Sequence, residues 1–351
     1  MSSSMLSSTT SQTKIFFMGA TGYIGGSILN RLFSHPEAST FAITALVRSP
    51  SKASKLEAVG VNTVIGSLKD DALIESLAAA ADAVISTADC DDDDIAKAYL
   101  KGMKRHFEET GKVPILIHTS GTGVLADRSA GYFRDVPVYN DADPEQIETL
   151  AITQPHRTVD LAIMQADKEG YIKAYIVLPS MIYGLASGRL VDLGIQNKFS
   201  SQVPQLIKAA LGRGQAGMVG AGTNKWGTVH IDDVTDLYVL LFDLGRTDPD
   251  AVGHGREGFY FAINGECTLR EIGQAIGEKL VAIGRATTPE PTTFTEEEIK
   301  VYFRGSTFWG TNSRGVANRS KSIGWNPRKT EKDLLASVGP EVDAILKERS
   351  V

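Results

Sequence analysis

Lys14-Ile-Phe-Phe-Met18 runs without a break into Gly19-Ala-Thr-Gly22-Tyr-Ile-Gly25-Gly26 and then into the amphipathic segment Ser27-Ile-Leu-Asn-Arg-Leu-Phe33. Apolar strand formers, a glycine turn and a helical pattern in that order spell strand, turn, helix. Glycines spaced in this way let the backbone turn tightly and come close to a pyrophosphate. The free N–H groups and dipole at the start of the following helix stabilise the negative charge. Gly19, Thr21, Gly22, Tyr23, Ile24 and Gly25 therefore form the first candidate binding element.

The next strand pattern, Phe41 to Val47, ends in Arg48-Ser49. An enzyme preferring NAD usually places an acidic residue there to bind ribose hydroxyls. Arg48 suits a 2′-phosphate instead, because its planar donor fork can hold phosphate bidentately, and Ser49, Lys52 and Lys55 stand close by in sequence. The expected cofactor is NADP(H).

Further strands are expected at Thr63 to Ile65, Ala83 to Ser86, Ile115 to Ser120, Ala174 to Leu178 and Gly258 to Ile263, with helical stretches such as 72–80, 95–109 and 203–211 between them. Strands alternating with helices imply βαβ units and a doubly wound parallel α/β sheet. Ligands in such sheets bind beyond the carboxyl ends of the strands. That rule adds Ser67, Leu68, Thr87, Ala88, Thr119, Pro179, Met181 and Ile182 to the candidate cofactor residues. The pattern breaks between 185 and 225, and Thr268-Leu-Arg-Glu271 is a capping box that opens a helix beyond the last strand. The expected division is residues 14–184 and 226–264 for the nucleotide-binding domain, with 185–225 and 265–351 as a discontinuous lid.

Composition narrows the field without deciding it. The chain has 351 residues, 42% hydrophobic and 22% charged, with a formal charge of −6. These values fit a globular protein, and the negative sign argues against nucleic acid or an anionic membrane as the main partner. Cys90 and Cys267 lie far apart, with no second thiol at metal-site or redox spacing, so neither a disulfide nor a metal centre is expected. The acidic run Asp89, Asp91 to Asp94 reads as a solvated loop and helix N-terminus. Residues 1–13 read as a disordered tail, no apolar stretch is long enough to span a bilayer, and a cytoplasmic monomer or homodimer acting on a small molecule is the expectation.

Several motifs together resemble the extended short-chain dehydrogenase/reductase superfamily, including its atypical branches. They are the G-A-T-G-Y-I-G-G turn, His118-Thr-Ser120, Leu178-Pro-Ser-Met-Ile-Tyr-Gly184, Val229-His-Ile-Asp-Asp-Val234 and Gly324-Trp-Asn-Pro327. The resemblance implies a Rossmann domain with a small C-terminal substrate lid and a nicotinamide cofactor across the strand ends. It also implies that His230, Asp232 and Asp233 tie the lid to the sheet. Chemistry in that superfamily rests on a Ser, matched here by Ser120, and on a Tyr followed four positions later by a Lys. The Lys holds the nicotinamide ribose and lowers the Tyr pKa.

None of the ten tyrosines has a Lys four residues on. Counting back from Pro179 puts the dyad's place near Thr153-Gln-Pro-His156-Arg157, with Arg157 or His156 at the lysine position and Thr153 or Ile152 at the tyrosine position. Arg157 could bind ribose hydroxyls but cannot deprotonate. His156 is the first candidate proton donor, because imidazole changes charge near neutral pH, and Tyr139 is the second. Tyr183 and Gly121 are the candidate substrate contacts. The expected function is an NADPH-dependent reductase of a small, mostly apolar carbonyl or conjugated alkene. A cofactor-binding sensor without turnover and an epimerase or lyase using bound cofactor are the alternatives.

Overall fold

A computed structural model describes residues 12–349. Of the expected tail, residues 1–11 lie outside the described residues, whereas Thr13 already opens the first strand. In chain order the main elements are β1 (Thr13–Met18), α1 (Tyr23–Phe33), β2 (Phe41–Val47), α2 (Pro50–Glu57), β3 (Asn62–Ile65), α3 (Asp71–Ala79), β4 (Ala83–Ser86), α4 (Asp93–Thr110) and β5 (Ile115–Thr119). They continue with α5 (Arg157–Lys168), β6 (Lys173–Pro179), β7 (Met181–Tyr183), α6 (Gln202–Arg213), β8 (Lys225–His230), α7 (Ile231–Thr247), β9 (Phe259–Ala262), β10 (Glu266–Thr268), α8 (Leu269–Ala282) and α9 (Glu331–Arg349).

Seven strands form one parallel sheet in the order β9-β6-β5-β4-β1-β2-β3. Helices cover both faces, so strands β4, β5 and β9 are buried along their whole length. This is why their sequences read as continuous apolar runs rather than alternating ones. The sheet is the doubly wound Rossmann arrangement. The chain order reverses between β1 and β4, and the glycine turn after β1 opens at that crevice.

A second sheet, ordered β10-β8-β7, carries the lid. Its core gathers residues of α6, α8 and α9 around Trp226, Phe294 and Phe303. The division of side chains does not follow the expected sequence boundaries. Met181, Tyr183 and Trp226 pack into the lid core, while Ala317 and Trp325 pack into the core of the main sheet. Strand alternation explains the first group, since β7 and β8 turn one face to each core.

Two buried carboxylates hold the layers together. Asp141 accepts hydrogen bonds from the backbone N–H of Phe261, Arg319 and Ser320 and from the Ser320 hydroxyl. Asp233 accepts from the backbone N–H of Arg328 and Lys329, both at 3.0 Å, and its carbonyl accepts from Trp325 Nε1. The Asp233 side chain of α7 thus satisfies amides of a distant loop that has no secondary structure of its own. Replacing Asp233 with Ala should lower unfolding free energy by about 3 kcal/mol, because two charge-assisted bonds from a buried carboxylate to backbone amides are lost together. Urea denaturation checks it, and a change below about 0.5 kcal/mol would show that the loop holds without Asp233.

Candidate active site

The strand ends of the main sheet and the lid enclose a cleft of about 730 Å³. Tyr23, Ile24, Thr87 and Ala88 border it from the first half of the sheet, and Ser120, Gly121, Pro179 and Ile182 from the second. The lid contributes Phe199, Trp226 and Phe308 as an apolar wall, with Ser200, Ser201 and Gln202 beside it.

The glycine turn has the form its spacing implies. Gly19 sits at φ +84°, and a Cβ on Gly25 would lie 2.2 Å from the Gly19 carbonyl oxygen, so neither position accepts a side chain. Gly22 is the N-cap of α1 and no side chain caps that helix, which leaves its first N–H groups free for an anion. Thr21 receives the lid through its carbonyl, which accepts from the Asn197 N–H at 3.1 Å. At the end of β2, Arg48 is exposed and makes no ion pair among the described residues. Ser49 caps α2 by accepting from the Lys52 N–H. Lys55 instead donates to the Leu193 carbonyl at 2.8 Å and so ties α2 to the lid segment. Ser67 and Leu68 follow β3 at the same edge, where the exposed Ile65 adds apolar surface. These groups fit a dinucleotide: amides for the pyrophosphate, a cationic corner for the ribose, and apolar walls at the far end.

Ser120, at the end of β5, is 5% exposed, and its hydroxyl is hydrogen-bonded at 3.1 Å to the carboxyl of Asp160 in α5. His156 is the N-cap of α5 and adopts φ +67°, a left-handed conformation rare outside glycine. Asp91 holds it there, since its Oδ1 accepts both the His156 backbone N–H at 2.9 Å and ring Nδ1 at 2.7 Å. The opposite ring nitrogen, Nε2, faces Gly121 and Gly123, where a Cβ would stand 3.1 and 3.0 Å away. Cys90 Sγ also reaches Nδ1, at 3.3 Å, and the donor atoms of Cys90, Asp91 and His156 all lie within 4.8 Å of one another. Reading the acidic run only as a solvated loop misses this grouping, although Asp92 does cap α4 as expected.

His156 and Asp160 are four residues apart, one turn of helix, and border Ser120 together. Asp160 bonds to Ser120 itself, while His156 reaches the two glycines that follow it. Ile152 and Thr153, expected at the tyrosine position, are exposed in turns that precede α5. Asp160 was missed, yet its signal was present. It is a carboxyl within the buried stripe Val159, Asp160, Ile163, Ala166.

Five other expectations are corrected. Arg157 is 2% exposed and does not line the cleft, so it holds no ribose. Tyr139 pairs with Gly315 in a short bridge and packs against the main core rather than over the cleft. Thr119 points to the opposite face of β5 from Ser120, where it shares a 2.6 Å hydrogen bond with the Tyr238 hydroxyl. Met181 is buried in the lid core while its neighbour Ile182 faces the cleft. Tyr183 is fully buried and donates to the Thr330 carbonyl at 2.7 Å, so it is a lid tie and not a substrate contact.

Burial dominates the site's electrostatics. It pushes Asp160 from 3.8 up to about 7, opposed by the Ser120 hydrogen bond and the Arg157 charge and reinforced by Asp91. The same cause pushes His118 down to about 3 and Cys90 up to about 12. His118 therefore stays neutral, and Cys90 stays a thiol.

Residues 19–139 match the model of a family described as NAD(P)H-binding. "Oxidase ucsJ" of Acremonium sp is 31% identical over 338 residues, covering 90% of this chain and 92% of its own. Among solved structures, UDP-glucose 4-epimerase of Thermotoga maritima with UDP-glucose has a TM-score of 0.65 at 15% identity, covering 96% of this chain and 99% of its own. The DesIV double mutant of Streptomyces venezuelae, a dTDP-glucose 4,6-dehydratase with NAD and DAU bound, has a TM-score of 0.63 at 16% identity, covering 94% and 96%. Fold and cleft thus define a dinucleotide-binding protein of the Rossmann class. The chain belongs to the family of that 31%-identical relative, with an NAD(P)H-binding segment on a Rossmann fold, and it lacks the Tyr and Lys of the superfamily it resembles.

A carboxyl with a raised folded-state pKa binds its proton more tightly in the native state than in the unfolded chain. Its contribution to stability is present below about pH 4 and is lost as pH rises through about 7. Asp160→Asn removes that dependence. The variant's melting temperature should match wild type near pH 4 and exceed it by several degrees at about pH 8. A constant difference across that range would mean Asp160 is ionised in the native protein throughout.

Proposed function

We propose that the protein is an NADPH-dependent reductase of a small, mostly apolar carbonyl or conjugated alkene. The observation that carries this reading is that Ser120 and His156 border one cleft together with Phe199, Trp226 and Phe308. The nicotinamide, when bound, supplies the hydride.

The protein's own groups handle the oxygen and the proton. Ser120 donates a hydrogen bond to the substrate oxygen, which gains negative charge as hydride arrives. His156 passes a proton from Nε2, and Asp91, on Nδ1, holds the ring's orientation and stabilises its charged form before transfer. A conjugated alkene places less demand on the acid, because its negative charge is delocalised as an enolate. The apolar wall excludes water and fits the hydrocarbon part of the substrate. The curated relative is named an oxidase, and alcohol oxidation would use these groups in reverse, with His156 as base. Arg48 favours the reductive direction through its preference for the phosphorylated cofactor, and the lack of any acidic residue at that corner supports it.

Two measurements test the reading. Arg48→Ala should weaken NADPH binding by about 10- to 100-fold and leave NADH binding nearly unchanged, since a charge-assisted phosphate contact is worth about 1.5–3 kcal/mol. Equal losses for both cofactors would remove the NADP assignment. NADPH consumption across a panel of aldehydes, quinones and enones should reveal turnover in wild type, and His156→Asn should lower kcat by about 10²- to 10⁴-fold with NADPH affinity retained. Tight NADPH binding with no consumption by wild type would favour a sensor instead, and full activity in His156→Asn would exclude His156 as the donor.

A further inference from the structure

The carboxyl of Asp160 lies directly behind Ser120, and its surroundings are unusual for a carboxylate. It is fully buried, its Oδ2 meets only the Ser120 hydroxyl at 3.1 Å, and its Oδ1 has no hydrogen-bond partner among the described residues. Every titratable or charged group facing it is accounted for. From β5 come Ser120 and His118. From α5 come His156 and Arg157, the latter with Nε and Nη1 unpartnered and no ion pair to Asp160. From α4 comes Tyr99, hydrogen-bonded to His118 at 3.4 Å, and from the loop before α4 come Cys90 and Asp91. Thus neither a salt bridge nor a set of amide donors supports an anion there, as such groups do around buried carboxylates such as Asp141.

The protonation state of this carboxyl decides what Ser120 can offer the cleft. If Asp160 is ionised, it can only accept, so the Ser120 proton points backwards and a lone pair faces the substrate. If Asp160 is neutral, its own O–H donates to Ser120 Oγ, and the Ser120 proton is free to point forwards. Only the second arrangement helps an oxygen that is acquiring negative charge.

We propose that Asp160 is a positioning residue: as the neutral acid it donates to Ser120 Oγ and so turns the Ser120 hydroxyl towards the substrate oxygen. Burial supports the same state, since it favours the uncharged carboxyl. The role in turnover rests on the reductase reading, but the hydrogen bond and its direction do not. The arrangement gives Asp160 the task of setting the direction of a donor.

Infrared spectra of the NADPH-bound protein and pH profiles of kcat/KM form the test. At about pH 6 wild type should show the carbonyl stretch of a protonated carboxyl that is absent in Asp160→Asn and shifted in Ser120→Ala. In turnover with phenanthrenequinone or cyclohexenone, Asp160→Asn should keep kcat/KM within about tenfold of wild type at low pH, because the amide N–H₂ can still donate to Oγ, whereas Asp160→Ala should lose more. The alkaline limb of wild type should include the loss of the Asp160 proton and that of Asp160→Asn should lack it, so the slope of the limb on a logarithmic plot becomes shallower in the variant. A merely structural role would leave that slope unchanged. An unchanged slope, or no protonated-carboxyl band in wild type, overturns the proposal. If wild type consumes no NADPH the reductase reading falls, while the infrared comparison still decides the state of Asp160 and the direction of its bond.

Discussion

One carboxylate oxygen fixes where α5 begins and where its first side chain points. Asp91 Oδ1 takes the backbone N–H of His156 and, from the same residue, ring Nδ1. A left-handed residue with a β-carbon costs about 1–2 kcal/mol, and two bonds to an anion are enough to hold it. With His156 fixed, helical geometry places Asp160 one turn on, against Ser120, and Nε2 turns to Gly121 and Gly123. A bulkier residue at either glycine would press on the imidazole, so the small residues after β5 and the bend before α5 belong to one solution. The loop after β4, the end of β5 and the start of α5 are far apart in sequence. The site forms only when β4 and β5 pair and α5 docks.

Much of this framework is legible in the sequence, because it rests on local patterns. The strand, the glycine turn and the start of α1 are contiguous, and each glycine answers a local steric demand. The six other strands of the main sheet are apolar runs that differ from the observed bounds by a residue or so. The capping box of Thr268 and Glu271 is likewise a matter of neighbours, and both of its bonds form. What the pattern does not carry is direction. The rule that ligands lie beyond strand ends selects residues by position along the chain, but alternate side chains of a strand face opposite ways. Thr119, Met181 and Tyr183 were chosen by position and point elsewhere, whereas their neighbours Ser120 and Ile182 border the cleft.

The active-site register was hidden for a different reason. Counting back from Pro179 assumes that α5 and its approach have the usual length, yet turns precede it and its first residue is bent. Neither feature leaves a strong mark on composition. Asp91 is obscured by its neighbours: in a run of acidic residues, the one that reaches His156 is set by tertiary contact alone. Asp160 is the exception, since a carboxyl amid Val159, Ile163 and Ala166 already conflicts with the helix's apolar face. Such conflicts between local rule and burial tend to mark functional sites.

The missing Tyr and the missing Lys can be understood as a single change. A phenol is a poor acid–base group near neutral pH unless a cation lies beside it, so in the family pattern the Lys is what makes the Tyr useful. An imidazole needs no such help, because its charge changes near neutrality without a cation, and a cation one turn away would oppose its protonated form. On the proposed reading His156 takes the acid's place, and a Lys one turn further on would be a liability. The residue there is instead an acid whose burial favours the uncharged form, while the exposed Asp91 lies against ring Nδ1. The charge that the family places at the ribose is thus removed rather than replaced, and Arg157, the one cation nearby in sequence, is turned away from the cleft. On that reading ribose recognition comes from neutral donors and the backbone, and the electrostatic hold on a dinucleotide shifts to the phosphate end, at the turn after β1 and at the exposed Arg48.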